Sequence, residues 1–374
     1  MSTIYSIESF VVPYTEPNDH GSTRYVCLVK ITDSDGVVGW GEAVTLFREA
    51  TVATHALIGA YRDLVVGKPA NPSTILNALL AHGWWFADAG LASFALSSID
   101  LALWDIAAKR AAQSLANLLG RAQTRLPIFV SCHAAQADIS AMTDSMAEKV
   151  SDVCATGIKI GFGKRGDARL GYDHDRDVSF IRELRKRLGD DSHIMIDIGA
   201  TITWSVDDAI SRIRAFEEYG VYWTEEPLGA HNPDGYRRLK KAVSSMIAYG
   251  EREWNMAGYA SIIESGTVDV VGIDPGRAQG ITGFLATSRL LEKQGVQGNA
   301  HAFAGPLVFA ASLALSQNTL ACRQLELMPL RNSLYELVEN CPAPLSGTLS
   351  SSEEHGIGVT IIEKRVRAVA ESTA

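Results

Sequence analysis

Residues 157–197, GIKIGFGKRGDARLGYDHDRDVSFIRELRKRLGDDSHIMID, decide the fold. The stretch opens on a β-rich run, Gly157-Ile-Lys-Ile-Gly161. It passes through an amphipathic helix, Val178-Ser-Phe-Ile-Arg-Glu-Leu-Arg-Lys-Arg-Leu188, and ends on a second β-rich run, His193-Ile-Met-Ile-Asp197. That is a strand–helix–strand unit, and the rhythm continues on both sides. Further strand candidates are Leu126–Ser131, Val221–Glu225, Met246–Glu251, Val268–Asp274, Val296–His301 and Cys322–Glu326. Eight such runs over roughly 205 residues match the usual length of a closed parallel barrel. An open doubly wound sheet is the alternative, but no Gly-x-Gly-x-x-Gly turn follows a strand to support it.

Upstream, residues 1–125 read differently. Ser6–Val12, Tyr25–Ile31 and Val37–Ala43 alternate like strands, the last two joined by an Asp-Gly turn at Asp35-Gly36. Residues 50–120 are rich in Ala and Leu at helical spacing, with Leu96, Ile99, Leu103, Ile106 and Ala107 on the strongest helix. Strands followed by helices make an α+β unit. The tail, residues 333–374, lacks the barrel rhythm. Its one strand candidate, Gly356–Glu363, is expected to return to the N-terminal unit. The fold class is therefore α/β: a (β/α)7–8 TIM-like barrel over residues 126–332, with an α+β domain from residues 1–125 and the tail.

A net charge of −9 argues against nucleic-acid or membrane-surface partners, which require clustered positive charge. No leader sequence or uninterrupted apolar run of membrane-spanning length is readable. The five cysteines are scattered and form no Cys-x-x-Cys, which disfavours structural zinc and a disulfide framework and fits a reduced, cytoplasmic compartment.

Strands buried in a barrel should be apolar throughout. Here they finish on Lys159, Asp197, Glu225, Glu251, Asp274, His301 and Glu326, and from Asp197 onward these recur every 23 to 28 residues. One acidic residue at a strand end is usually a helix cap or a solvated loop residue. Seven in phase are another matter, because every carboxyl end of a barrel strand opens on one face, where barrel enzymes keep their chemistry. Asp197, Glu225 and Glu251 come from consecutive strands. Three carboxylates meeting without a cation would raise one another's pKa values. All-oxygen ligation favours Mg²⁺, with Mn²⁺ as substitute, over zinc. Lys159 lies to one side as a candidate general base. On the other side His301 and Asp274 form a dyad, the carboxylate orienting the ring; without Asp274, His301 would read as a core histidine.

These residues carry a resemblance. Gly39-Trp-Gly-Glu-Ala43, Ser97-Ser-Ile-Asp-Leu-Ala-Leu-Trp-Asp105, Lys159-Ile-Gly161, Ile196-Asp197, Glu225-Glu-Pro227, Gly250-Glu251, Asp274 with Gly280-Ile-Thr-Gly283, and His301 stand in the order of the mandelate racemase subgroup of the enolase superfamily. The chain resembles that subgroup over essentially its full length. The resemblance implies that Asp197, Glu225 and Glu251 bind Mg²⁺ and that Lys159 and His301 flank the α-carbon of a small carboxylate substrate. Asp274 would support His301, and Glu326 would act as a protonated acid on a carboxylate oxygen. It also implies a homo-oligomer, and an N-terminal unit that caps the barrel through loops near Glu16–Gly21 and Thr45–Arg48, making His20 and Arg48 candidate substrate contacts.

Two positions depart from the pattern. The family usually has lysine two residues before the base, and this chain has Gly157. Gly199 stands where a polar residue is frequent. Arg277 and Lys164 are the candidates, by position, to supply the missing cation, Lys164 from a loop that also holds Arg165 and Arg169. A Lys with a His–Asp pair is common among acid-sugar dehydratases, so by analogy dehydration of a sugar acid to a 2-keto-3-deoxy acid is favoured. Racemisation or epimerisation, lactone cycloisomerisation and a barrel that binds a metabolite without turnover are the rivals.

Overall fold

A computed structural model of the chain describes residues 2–230, 232–301, 303 and 305–371. Three antiparallel strands, β1 (Ile4–Glu16), β2 (Ser22–Asp33) and β3 (Val38–Leu46), pair in chain order. Helices α1 (Arg48–Val65), α2 (Pro72–His82), α3 (Leu91–Arg110) and the short α4 (Leu115–Leu119) follow. Ile4, Ile7, Val29 and Ile31 of the sheet bury themselves against Ile58, Leu79, Leu96 and Ile99 of the helices. The Gly-Trp-Gly motif explains how closely α3 approaches: a Cβ on Gly41 would stand 1.9 Å from the Ser98 carbonyl, and one on Gly39 2.1 Å from that of Ala102. Helix α3 is long and apolar enough to cross a membrane by composition, but most of it is buried inside the protein.

The barrel then runs β4 (Leu126–His133), α5 (Ile139–Asp152), β5 (Gly157–Phe162), α6 (His174–Leu188), β6 (His193–Ile198), α7 (Val206–Glu217), β7 (Val221–Glu225), α8 (Pro233–Ala242), β8 (Met246–Tyr249), α9 (Met256–Glu264), β9 (Val270–Ile273), α10 (Gly280–Gln294), β10 (Gln297–Ala300), α11 (Pro306–Asn318) and β11 (Leu325–Leu327). Strand order is β10-β9-β8-β7-β6-β5-β4-β11, all eight parallel, and a single bridge between Gly298 and Cys322 joins the two ends. This is the α/β barrel that the periodicity implies. Helices cap as their sequences direct: Asp138, Asp173 and Ser205 each accept a backbone N–H in the first turn of α5, α6 and α7. Phe129, Met195, Trp223, Ala248 and Val270 fill the inside of the barrel beneath the mouth.

In the tail, β12 (Val338–Glu339) pairs with β14 (Thr360–Ile361), while β13 (Thr348–Leu349) runs antiparallel to the start of β4. The expected strand over Gly356–Glu363 shrinks to those two residues. Asp105 of α3 is the reason nearby, since it takes the Ile357 N–H (2.8 Å) that a longer strand would need. Helix α12 (Glu363–Val369) returns to the N-terminal sheet through Glu363 with Lys30 and Arg367 with Glu8.

Buried carboxylates join the cap to the barrel. Asp100 of α3 accepts from the backbone N–H (2.9 Å) and hydroxyl (2.6 Å) of Thr282, in the first turn of α10. Glu42 of β3 accepts from the N–H groups of Gly305 (2.5 Å), Leu307 (3.2 Å) and Val308 (3.4 Å), at the start of α11. Ser93 donates to the carbonyls of Trp254 and Arg277. Burial pushes the Glu42 carboxyl up to about 7 against those hydrogen bonds. A raised carboxyl favours folding at low pH: its contribution is full below about pH 4.5 and is lost as pH rises through about 7. Urea unfolding at pH 5 and pH 8 should show the parent losing about 3 kcal/mol more than Glu42→Gln over that interval. Parallel pH profiles would show that Glu42 ionises freely in the fold.

Candidate active site

Strand register places the charged residues. His133 of β4 pairs with Gly161 of β5, Gly161 with Asp197 of β6, and Asp197 with Glu225 of β7. Paired residues of parallel strands face the same side, so these four positions form one inward layer at the carboxyl end of the barrel. Lys159, paired with Ser131, lies one layer deeper. Beyond the strand ends, Glu251 follows the turn after β8, Asp274 follows β9, and His301 follows β10, its N–H bonded to the Ile273 carbonyl.

Lys159 is the buried centre of the cluster. Its Nζ lies 2.8 Å from Glu225 Oε2 and 2.9 Å from Glu326 Oε1, and it is 2 % exposed. Burial works to strip its proton, but Glu225 and then Glu326 prevail and hold it well above the ordinary lysine value. Lys159 therefore lies inside the cluster, paired with two carboxylates, at the position where a general base was expected. For Glu326, burial works to raise the carboxyl, yet Lys159 and then His301 hold it below the ordinary value.

Glu225 shows the opposite balance. Burial, then Asp197, Glu251 and Glu326 together, outweigh Lys159 and push it up to about 8. Lys164 adds a second ammonium, 3.8 Å from Asp197 Oδ2. Four carboxylates thus face two ammonium groups. Among the described residues, no three acidic, imidazole or thiol side chains close around a single point. The adjoining Glu226, its backbone at φ 47, pairs with Arg252 at 2.5 Å, and burial, then Glu251, push its carboxyl up to about 8.

His301 and Asp274 meet as the sequence suggests, Nδ1 to Oδ2 at 2.8 Å, with Nε2 turned toward Glu251 Oε2 at 3.7 Å. Burial works to keep the ring neutral, but Glu251 and the Asp274 hydrogen bond push it up to about 10. Asp274 is itself fixed by the Gly276 N–H (2.7 Å).

Three proposed substrate contacts lie elsewhere. The Arg277 guanidinium stacks on Trp254, 3.5 Å from the ring centre, and donates to the Arg252 carbonyl (3.0 Å). It pins the loops after β8 and β9 against Phe94 of the cap instead of reaching the cluster. Arg48 is exposed and paired with Glu371 of the tail at 2.9 Å. His20 is exposed and ends the 3₁₀ turn Pro17–Asp19 in a left-handed conformation. The loop that carries His20 does reach across: Asn18 exchanges two hydrogen bonds with the backbone of Leu330, and Glu16 accepts from Asn332.

Gly157, the bare position, starts β5, and a Cβ there would stand 2.1 Å from the His193 carbonyl, so no side chain fits in this backbone. The inward, mouth-level glycine is Gly161. Sequence reading also missed His133, because β4 runs two residues past Ser131. Its ring stacks with Phe303 (centres 6.0 Å apart), and Arg24 of β2 lies over the other ring at 4.3 Å. The period-two alternation of β4, carried on to 133, was the available signal.

Comparison with known proteins places this geometry. Residues 12–120 match the model described as Mandelate racemase / muconate lactonizing enzyme, N-terminal domain, and residues 141–365 match Enolase C-terminal domain-like. A D-gluconate dehydratase from Thermoproteus tenax is 29% identical over 87% of this chain, which spans 65% of that protein's length. A D-galactarolactone cycloisomerase from Agrobacterium fabrum is 27% identical over 80% of this chain and 77% of its own. Among solved structures, L-talarate dehydratase from Polaromonas sp. JS666, complexed with Mg and L-glucarate, superposes with a TM-score of 0.87 at 22% identity, covering all of this chain and 99% of that one. With both domain models met in order on a barrel of this topology, the chain belongs to the mandelate racemase / muconate lactonizing enzyme family of the enolase superfamily.

Proposed function

We propose that the protein removes the proton α to the carboxylate of a sugar acid and expels the β-hydroxyl, giving a 2-keto-3-deoxy acid. The observation that carries this reading is the His301–Asp274 dyad turned toward a buried carboxylate cluster. The excess of acids over ammonium groups, and the raised Glu225, fit a hard divalent cation held by Asp197, Glu225 and Glu251. Mg²⁺ bound there would supply Lewis acidity for charge developing on the substrate carboxylate.

His301 does the proton work. Glu251, whose charge does most to raise the ring, is one of the acids that would hold the cation, so a loaded site would leave the ring neutral; Asp274 holds Nδ1, which leaves Nε2 to accept the α-proton. The C–H electron pair moves into the carboxylate as an ene-diolate. Its return expels the β-hydroxyl, which takes the proton that His301 has gained and leaves as water, and the enol product takes a solvent proton at C3 and gives up its hydroxyl proton to become the 2-keto acid. Glu326 and Lys159, 2.9 Å apart, form a polar floor beneath the dyad.

Cycloisomerisation is the second reading, favoured by the relative of that name. Incubating aldonic and aldaric acids, D-gluconate and galactarate among them, with the protein and Mg²⁺ and trapping 2-keto acids separates the two. Dehydration gives a trapped product. Solvent deuterium entering the α-position with no 2-keto acid formed would instead mark an isomerase.

A further inference from the structure

We infer that Lys164 is the side chain that contacts the substrate's anionic oxygens on the β5 side of the mouth, filling the place that Gly161 leaves bare. The inference rests on the reading of the mouth as a carboxylate site. Inward positions on β5 alternate as Gly157, Lys159 and Gly161, and the first is too deep and the second sealed between two carboxylates. At the third, an ideal Cβ would lie 2.6 Å from Lys164 Cε, 3.1 Å from Lys164 Cγ and 2.7 Å from His133 Cδ2. The lysine stem therefore lies across the glycine, inside the mouth.

The neighbouring strand end makes room in the same way. A Cβ on Gly199 would stand 3.4 Å from both Cε and Nζ of Lys164. Two glycines thus flank one lysine, and the chain reverses toward them at Gly163, in a left-handed conformation at φ 71. The ammonium ends 3.8 Å from Asp197 Oδ2, outside hydrogen-bond reach, with its side chain 26 % exposed against 3 % for Lys159. The other cations near the cluster are committed: Arg277 to Trp254 and Arg252 to Glu226. A compact point charge on a flexible stem suits a carboxylate oxygen arriving from solvent. Gly199, read from sequence as the loss of a polar residue, forms with Gly161 the groove that seats this lysine.

The test uses the Mg²⁺-loaded protein and oxalate, a planar dianion that imitates an ene-diolate, with binding followed by calorimetry. Lys164→Met and Gly161→Ala should each weaken oxalate binding about ten- to a hundredfold. The alanine acts by displacing the lysine stem, so the double variant should be no worse than either single one. Mg²⁺ affinity, measured separately, should be retained. Lys164→Met binding oxalate as the parent does, or losing it only in step with Mg²⁺, overturns the assignment. Should Gly161→Ala fail to fold, Lys164→Met decides alone. Lys164-dependent oxalate binding in a protein that dehydrates no sugar acid would discard the dehydratase reading and keep this contact. A parent that binds no oxalate overturns the Lys164 assignment, while the 2-keto-acid assay alone decides the dehydratase reading.

Discussion

His301→Asn should lower kcat by about 10²–10⁴-fold, the loss expected when a general base is removed. Asparagine retains an amide N–H for the Asp274 carboxylate, so packing and the loop after β10 should survive. It has no basic nitrogen to take a proton at the Nε2 position. Melting temperature and Mg²⁺ affinity should therefore stay near the parent's, while 2-keto acid formation and α-deuterium exchange both fall. The joint fall is the informative part. Lys159, paired with Glu225 and Glu326, is the other candidate acceptor, and a joint fall would show that it does not keep exchange alive. Exchange that persists at the parent rate in His301→Asn would return the base to another residue.

Glu225→Gln should abolish Mg²⁺-dependent stabilisation and reduce turnover by about a thousandfold or more, since a Lewis acid at the reacting carboxylate is worth several kcal/mol. Ligand binding to the folded state raises the melting temperature by mass action. The parent should melt higher in millimolar Mg²⁺ than in chelator, and the variant should melt alike in both. Chelator should silence the parent as thoroughly as the substitution does. A variant that Mg²⁺ stabilises like the parent would remove Glu225 from the ligand set.

Much of the architecture was legible because the barrel repeats one physical pattern. Each βα unit needs an apolar strand, an amphipathic helix and a charged strand end, and residues 157–197 display all three. What sequence could not give was depth. Lys159 and Gly161 differ by one inward step, and only strand register shows that one is at the floor and the other at the rim. The family pattern puts the gap at 157, and only the start of β5 shows how closely the His193 carbonyl approaches that position. Arg277 failed for a different reason: its stacking partners, Trp254 and Phe94, come from the loop after β8 and from the cap, and no local spacing announces them. The pairing of Glu326 likewise depends on a lysine 167 positions away in the chain, brought to 2.9 Å by closure of the sheet.

The seam between cap and barrel bears on how such a protein can diverge. Asp100 and Glu42 lie in the N-terminal part, yet the backbone groups they bind open α10 and α11, nearly two hundred and more than two hundred and sixty residues later. Gly305 has no room for a side chain because Glu42 occupies that space. Grafting the N-terminal part of one relative onto the barrel of another would preserve this lock only if acid and receiving turn travelled together. The Pro17–Asp19 turn rests on lighter contacts with Leu330 and Asn332. Inheritance can therefore rewrite the lip of the mouth freely while the hinge-side lettering, half on each part, stays fixed as a matched pair.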